Sequence, residues 1–216
     1  MKKIFLFIVL CSFAIMMQAQ EETADPKAKA ILESLSKKTK TYKTIKAEFT
    51  VISYDKDKKP TDTQKGSLIV KGGKYKMDIK NQTVICDSTT TWTFLKDANE
   101  VQISNVDANA DKGSVSPTNI FTIYEKGFKS HFESEANNMD VIDLYPKHPE
   151  REQYHTLKLT INKEKNQITE VIVLKKDGST MKYMISSFIT NSEIPGSTFI
   201  FNAKDYPGVE VEDLRN

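Results

Sequence analysis

Hydrophobic positions along the chain change from a helical to a β period near residue 45. Ala28, Ile31, Leu32 and Leu35 recur at helical spacing and predict one amphipathic helix, with Asp25 as its N-cap. From Ile45 onward, apolar and polar residues alternate, which predicts β-strands. The same period predicts further strands at residues 68–70, 75–79, 83–86, 91–94, 101–103, 128–134, 140–144, 157–161, 168–174, 180–185 and 199–201.

These strands follow one another with few helical interruptions, so neighbouring strands are expected to be antiparallel. The Asp177-Gly178 pair predicts a hairpin turn, and the Lys- and Asp-rich residues 55–65 are predicted to form a loop. About ten or eleven strands with two helices predict a mainly β fold: a strongly curved sheet, a barrel or a sandwich.

A second, short helix is predicted at residues 116–127. Ser116-Pro117 provides a cap and a first-turn proline, and Gly127 ends the apolar run. The polar residues 105–116 before it are expected to act as a tether. We expect both helices to lie on the concave face of the curved sheet.

The N-terminus has the layout of a secretory signal peptide. Met1-Lys2-Lys3 is basic, residues 4–17 are uncharged, and Ala19 supplies a small residue for cleavage. A membrane anchor fits less well, because about 20 apolar residues are needed to span a bilayer. A lipoprotein signal ending at Cys11 lacks the small residues expected before the cysteine. The sequence therefore predicts cleavage of residues 1–19, export to the periplasm, and one domain at residues 20–216.

Cleavage leaves a mature chain without net charge. Removing Lys2 and Lys3 from 31 basic residues leaves 29 against 29 acidic residues, so global charge gives no reason to expect nucleic-acid binding. Cys11 also leaves with the signal peptide, and Cys86 is the remaining cysteine. One cysteine cannot form an internal disulfide, so stability must come from packing.

Sequence signatures of catalysis are not found. His131, His148 and His155 lack metal-ligand spacing, and neither a Gly-x-Ser-x-Gly elbow nor a phosphate-binding glycine loop is present. Cys86 is expected to be an inert buried thiol. His155 lies two residues before Leu157 and shares the alternation of that predicted strand, so its side chain is expected to point to the same, inward face. We therefore expect a binding protein that is not an enzyme and that uses no metal or cofactor.

Short motifs along essentially the whole mature chain carry a family resemblance. Residues 47–50 read Ala-Glu-Phe-Thr after the predicted helix, and residues 66–71 read Gly-Ser-Leu-Ile-Val-Lys before Tyr75-Lys-Met77. Residues 84–87 and 92–94 supply Val-Ile-Cys-Asp and Trp-Thr-Phe in the next hairpin. The ending at residues 199–201 reads Phe-Ile-Phe, and residues 206–209 read Tyr-Pro-Gly-Val. In this order, the motifs resemble the outer-membrane lipoprotein carrier (LolA) family.

The resemblance implies an unclosed antiparallel β-barrel with a helical lid over an apolar cavity. It implies a monomeric periplasmic carrier that moves acylated lipoproteins from an inner-membrane ATP-driven transporter to an outer-membrane acceptor, with transient contact to membrane surfaces. Apolar residues on the matching strands are the candidate cavity lining: Phe49, Leu68, Val70, Tyr75, Met77, Trp92 and Phe94. The candidate lid residues on the two predicted helices are Ile31, Leu35, Ile120, Phe121, Ile123 and Tyr124.

The chain also departs from the family pattern. Gly72-Gly73 stands where family members often carry Arg-Pro, and that arginine is associated with holding the lid closed. We therefore expect the lid to open more easily than is usual. Two other functions stay open: a lipid-binding or envelope-stress-sensing protein of the same fold, and a filled β-sandwich that mediates protein contacts.

Lysines are frequent on the predicted N-terminal helix and just after it. They could form a docking face for an acidic transporter surface, although a solvated helix face explains the same pattern. The lysines concerned are Lys27, Lys29, Lys37, Lys38, Lys40 and Lys43.

Overall fold

The computed structural model describes residues 25–106 and 120–215, so the predicted signal peptide, residues 107–116 of the predicted tether and the first residues of the predicted second helix lie outside the described residues. One α-helix, α1 (Pro26–Thr39), and twelve strands form this part of the chain. The strands are β1 (Ile45–Tyr54), β2 (Pro60–Lys71), β3 (Lys74–Ile79), β4 (Gln82–Cys86), β5 (Thr90–Leu95), β6 (Glu100–Asn105), β7 (Phe128–Ala136), β8 (Met139–Pro146), β9 (Tyr154–Asn162), β10 (Gln167–Lys175), β11 (Thr180–Thr190) and β12 (Glu210–Asp213).

All twelve strands of the described chain belong to one sheet, in the order β12-β6-β5-β4-β3-β2-β1-β11-β10-β9-β8-β7. The sheet is not closed, because its two edge strands, β12 and β7, do not pair with each other. Neighbours are antiparallel except β12, which runs parallel to β6. The predicted mainly β, curved and unclosed architecture is confirmed.

Helix α1 begins at a strong cap and is fixed to the β7 edge. The Asp25 carboxylate accepts hydrogen bonds from the backbone N–H groups of Lys27 at 2.9 Å and Ala28 at 3.3 Å. Its other oxygen accepts the N–H of Phe132 on β7 at 2.8 Å. The buried stripe Ala28, Leu32 and Leu35 packs on β8–β10. The apolar period of α1 therefore fills one half of the concave face.

A second layer covers the opposite face of the sheet. Directly paired residues of neighbouring strands share a face, so Phe94 lies with Thr83 and Val101, away from the face that carries Leu68 and Met77. The Phe94 ring lies 4.5 Å from that of Tyr206 and 6.0 Å from that of Phe201. The C-terminal segment thus covers the convex face.

Several local predictions are wrong. Strand β2 begins at Pro60 rather than after residue 65, because Tyr54 pairs with Pro60 and the β1–β2 turn is short. Residues 199–201 are not a strand: a 3₁₀ turn, Gly196–Phe199, buries Phe199 completely. The last strand of the described chain is β12, Glu210–Asp213, which begins after the predicted strand. Over the described residues 120–127, the predicted second helix is a turn with one 3₁₀ segment, Ile123–Glu125, which ends before Gly127 at φ +86°.

His155 faces outward, contrary to its predicted inward position. The β9–β10 register shifts where Leu174 pairs with Thr156 and Lys175 with Tyr154, so His155 bulges out of the pairing. Tyr154 takes the buried place, and the His155 Nδ1 lies 2.9 Å from the Thr156 hydroxyl. The alternation seen at Leu157 and Leu159 therefore does not extend to His155.

Candidate ligand-binding cavity

An apolar cavity of about 260 Å³ lies on the concave face beside α1. Its floor is formed by inward side chains of four adjacent strands, β3, β2, β1 and β11. The pairs Ala47–Leu68 and Leu68–Met77 place these side chains in one row across the sheet. The lining residues are Ala47, Phe49, Val51, Ser53, Asp62, Gln64, Leu68, Met77, Ile79, Ile120, Phe121, Met181, Tyr183 and Ile185.

The cavity is closed at one end and open at the other. Ala47 and Leu68 at the inner end are 4% and 3% exposed. Towards the β1–β2 turn, Ser53 and Gln64 become half-buried and Asp62 is exposed. The cavity therefore has an apolar interior and a mouth lined by polar groups.

Residues Ile120 and Phe121 cover the cavity, and we call residues 120–125 the roof. Phe121 is buried, and its ring packs edge-on against Phe188 at 5.2 Å. Phe188 in turn contacts the Tyr42 ring at 5.9 Å, just after α1. These ring contacts are apolar and non-directional, so they place little directional constraint on movement of Phe121 relative to the floor.

A polar contact fixes the far end of the roof to α1. Glu125 accepts a hydrogen bond from the Ser36 hydroxyl at 2.5 Å, and its carboxylate lies 3.2 Å from the Lys40 ammonium. Burial penalises the charged carboxylate, but the bonds from Ser36 and Lys40 outweigh this and lower the pKa of Glu125. The group thus stays ionised at neutral pH. We call this contact the Glu125 latch.

Gly66 gives the cavity part of its shape. A Cβ at this position would lie 2.6 Å from Cζ of Phe49 and 2.7 Å from the backbone oxygen of Asp78. The Phe49 ring therefore lies directly against the β2 backbone, in space that a side chain would fill. This close approach places the ring in the cavity lining.

The predicted cavity residues are divided between the two faces. Phe49, Leu68 and Met77 line the cavity, and Val70 and Tyr75 pack in the adjoining part of the same apolar cluster. Trp92 pairs with Ile85 and Ile103, and with Phe94 it belongs to the opposite face. Neither Trp92 nor Phe94 lines the cavity.

The predicted lid residues lie on the concave side. Ile120 and Phe121 are in the roof and contact the cavity. Ile123 and Tyr124, which also belong to the roof segment, join Ile31 and Leu35 in the core between α1 and strands β8–β10. Their assignment as moving lid residues stays a prediction.

Met181, Tyr183 and Ile185 on β11 line the cavity but were not among the candidates. They occupy alternate positions along β11. Because they pair with Ser53, Val51 and Phe49 on β1, they lie on the face of the sheet that forms the cavity. The alternation is visible in the sequence, but the sequence does not show that β11 pairs with β1, and that pairing is what places these residues in the cavity.

Several lysines of α1 are already engaged. Lys27 lies 3.2 Å from Glu135, Lys40 contacts Glu125, and Lys38 donates to the Lys165 carbonyl. These contacts reduce the positive charge that the face could offer to a partner. The docking role remains a prediction.

Within residues 25–106 and 120–215, no group of three His, Cys, Asp or Glu side chains could hold a metal ion. Cys86 is buried and 2% exposed.

In the described part of the chain, no helix is both long and apolar enough to cross a membrane.

Comparison with solved structures finds proteins of similar fold. An uncharacterized conserved protein from Thermus thermophilus is 11% identical, with a TM-score of 0.57, over 88% of this chain and 99% of that one. A LolA superfamily protein from Nitrosomonas europaea is 13% identical, with a TM-score of 0.46, over 81% and 97%. LprF from Mycobacterium bovis is 11% identical, with a TM-score of 0.45, over 80% and 97%. The first similarity supports the fold.

Comparison with curated protein sequences finds no significant match. The family model of the outer membrane lipoprotein carrier protein LolA, in contrast, matches residues 40–202. This match spans β1 to β11 and therefore includes every strand that lines the cavity. The chain belongs to the LolA family.

Proposed function

We propose that this protein is a periplasmic carrier that binds the acyl chains of lipoproteins in the concave cavity and moves them between the inner and outer membranes. The observation that carries the proposal is the apolar cavity covered by the apolar side chains of Ile120 and Phe121. Membership of the LolA family supports this use of the cavity. Burial of methylene groups supplies the binding energy, and no catalytic group is required.

The size of the cavity limits what the closed form can hold. If a methylene group takes about the volume of a water molecule in the liquid, about 30 Å³, then 260 Å³ holds on the order of nine such groups. At about 0.8 kcal/mol for each buried group, the gross gain is about 7 kcal/mol, or a dissociation constant of about 10 µM. Several complete acyl chains cannot enter unless the roof moves.

A carrier of this kind needs a donor and an acceptor. We propose an ATP-driven lipoprotein transporter in the inner membrane as donor and an outer-membrane protein as acceptor, with the carrier acting as a monomer in the periplasm. The predicted signal peptide supports the location. Because the roof contacts are largely apolar, the same movement that admits a chain can release it.

The small volume also favours a second candidate function. A binder or sensor of single-chain lipids would fill the closed cavity without moving the roof. The filled β-sandwich does not fit, because the strands of the described chain form one open sheet with a cavity on its concave face. Mass spectrometry of ligands that copurify from envelope extracts separates carrier from sensor: acylated proteins support the carrier, and free lipid alone contradicts it.

A matched pair of variants tests the cavity. Met77 lines it, whereas Met184 lies on the opposite face of β11, and both are half-buried. We expect Met77→Glu to abolish binding of the neutral apolar dye N-phenyl-1-naphthylamine while Met184→Glu retains it. Circular dichroism checks that both variants keep the sheet. Equal binding by the two folded variants would contradict the cavity assignment.

A further inference from the structure

The cavity mouth differs from the interior in charge. Among the described residues that line the cavity, Asp62 is the one with a carboxylate side chain, and Lys, Arg and His do not occur in this lining. It pairs across the sheet with Ser53, and its carboxylate accepts a hydrogen bond from the Gln64 amide at 2.5 Å. Asp62 therefore provides a carboxylate hydrogen-bond acceptor at the described part of the rim.

The β1–β2 turn, next to the mouth, carries lysines that do not belong to the cavity lining. Lys56, Lys58 and Lys59 are exposed on the β1–β2 turn and do not line the cavity. The Asp55 carboxylate of that turn accepts hydrogen bonds from the backbone N–H groups of Asp57 and Lys59, both at 2.9 Å, so it is engaged within the turn. A head group at the mouth thus meets Asp62, Gln64 and Ser53 before it meets the turn.

From this arrangement, we infer that the cavity mouth favours acyl chains whose head carries a hydrogen-bond donor, an amide N–H or an ammonium, and disfavours free fatty acids. The inference rests on the proposed function, because it requires that the chain enters the cavity and the head stays at its mouth. A carboxylate head placed beside Asp62 meets a like charge, whereas an ammonium meets an opposite one. An amide N–H finds an acceptor in the same place.

Three ligands with the same nonyl chain test the inference: nonylammonium, decanamide and decanoate. Each is titrated into the full-length mature protein preloaded with N-phenyl-1-naphthylamine at neutral pH. We expect nonylammonium to displace the dye at a concentration roughly tenfold lower than decanoate, with decanamide between them. The difference should shrink as salt is added, because the mouth is exposed.

Asp62→Asn is the critical variant and Asp57→Asn its control, since Asp57 is exposed on the neighbouring turn outside the lining. We expect Asp62→Asn to reduce the preference to below about threefold and Asp57→Asn to keep it. An unchanged preference in Asp62→Asn, or tighter binding of decanoate by the unaltered protein, would overturn the inference alone. If none of the three ligands displaces the dye, both the inference and the proposed function are wrong.

Discussion

The Glu125 latch should control how readily the roof opens. Replacing Glu125 with alanine removes the acceptor of the Ser36 hydroxyl and the partner of Lys40. A hydrogen bond to a charged group contributes about 1.5–3 kcal/mol, and we take the lower end because the Glu125 side chain is 21% exposed. The Lys40 side chain is 65% exposed, so its ion pair adds only about 0.5 kcal/mol.

Together these contacts favour the closed roof by about 2 kcal/mol, a factor of about 30 in the opening equilibrium. If opening precedes ligand entry, Glu125→Ala should load a fluorescent lipid with two acyl chains, which exceeds the volume of the closed cavity, up to about 30-fold faster in stopped-flow fluorescence. Glu125→Gln keeps an acceptor for Ser36 and should show a smaller increase.

The control is Glu33→Ala, which removes an acid of α1 that pairs with Lys29 at 3.9 Å and is 58% exposed. Glu33 takes no part in the Glu125 latch, so the loading rate of this variant should match that of the unaltered protein. A loading rate for Glu125→Ala that is also unchanged, with the sheet signal intact, would refute the latch. The roof would then be a fixed part of the core.

Three further outcomes are expected. Gly66→Ala should destabilise the fold by about 1–3 kcal/mol through its clash with Phe49, whereas Gly196→Ala, with open space around its added Cβ, should leave the melting temperature nearly unchanged. Trp92, the chain's one tryptophan, lies on the face opposite the cavity, so ligand loading should leave its fluorescence emission unchanged; a shift on loading would place the ligand elsewhere. The lowered pKa of Glu125 means that its contribution to unfolding free energy is present above the ordinary value of 4.5 and is lost as the pH falls through the lower folded value. The stability difference between the protein and Glu125→Gln, measured by urea unfolding, should therefore vanish only in this acid range; a difference that disappears near neutral pH would contradict it.

The sequence predicted the architecture because local signals were strong. Asp25 and Pro26 began α1, and Asp177-Gly178 formed the β10–β11 turn with Gly178 at φ +84°. The period of two placed most strands within a few residues. These features depend on neighbours along the chain, which a sequence displays directly.

The division of side chains between the two faces could not be predicted in the same way. Phe94 is apolar and lies on a matching strand, but the C-terminal aromatic residues Phe201 and Tyr206 cover it. Both faces of β4 carry buried residues, so polarity there does not distinguish the face of the cavity from the other. The bulge at His155 and the parallel pairing of β12 with β6 depend on contacts between distant segments.

Site-specific photolabelling tests the central claim most directly. An acyl chain that carries a terminal diazirine is bound to the mature protein, irradiated, and its sites of attachment are mapped by mass spectrometry of peptides. We predict labels on the cavity lining, at Leu68, Met77 and Tyr183, which are lost when unlabelled chain is added in excess. Competed labels confined to the convex face, around Trp92 and Met184, would contradict the claim that the cavity binds acyl chains.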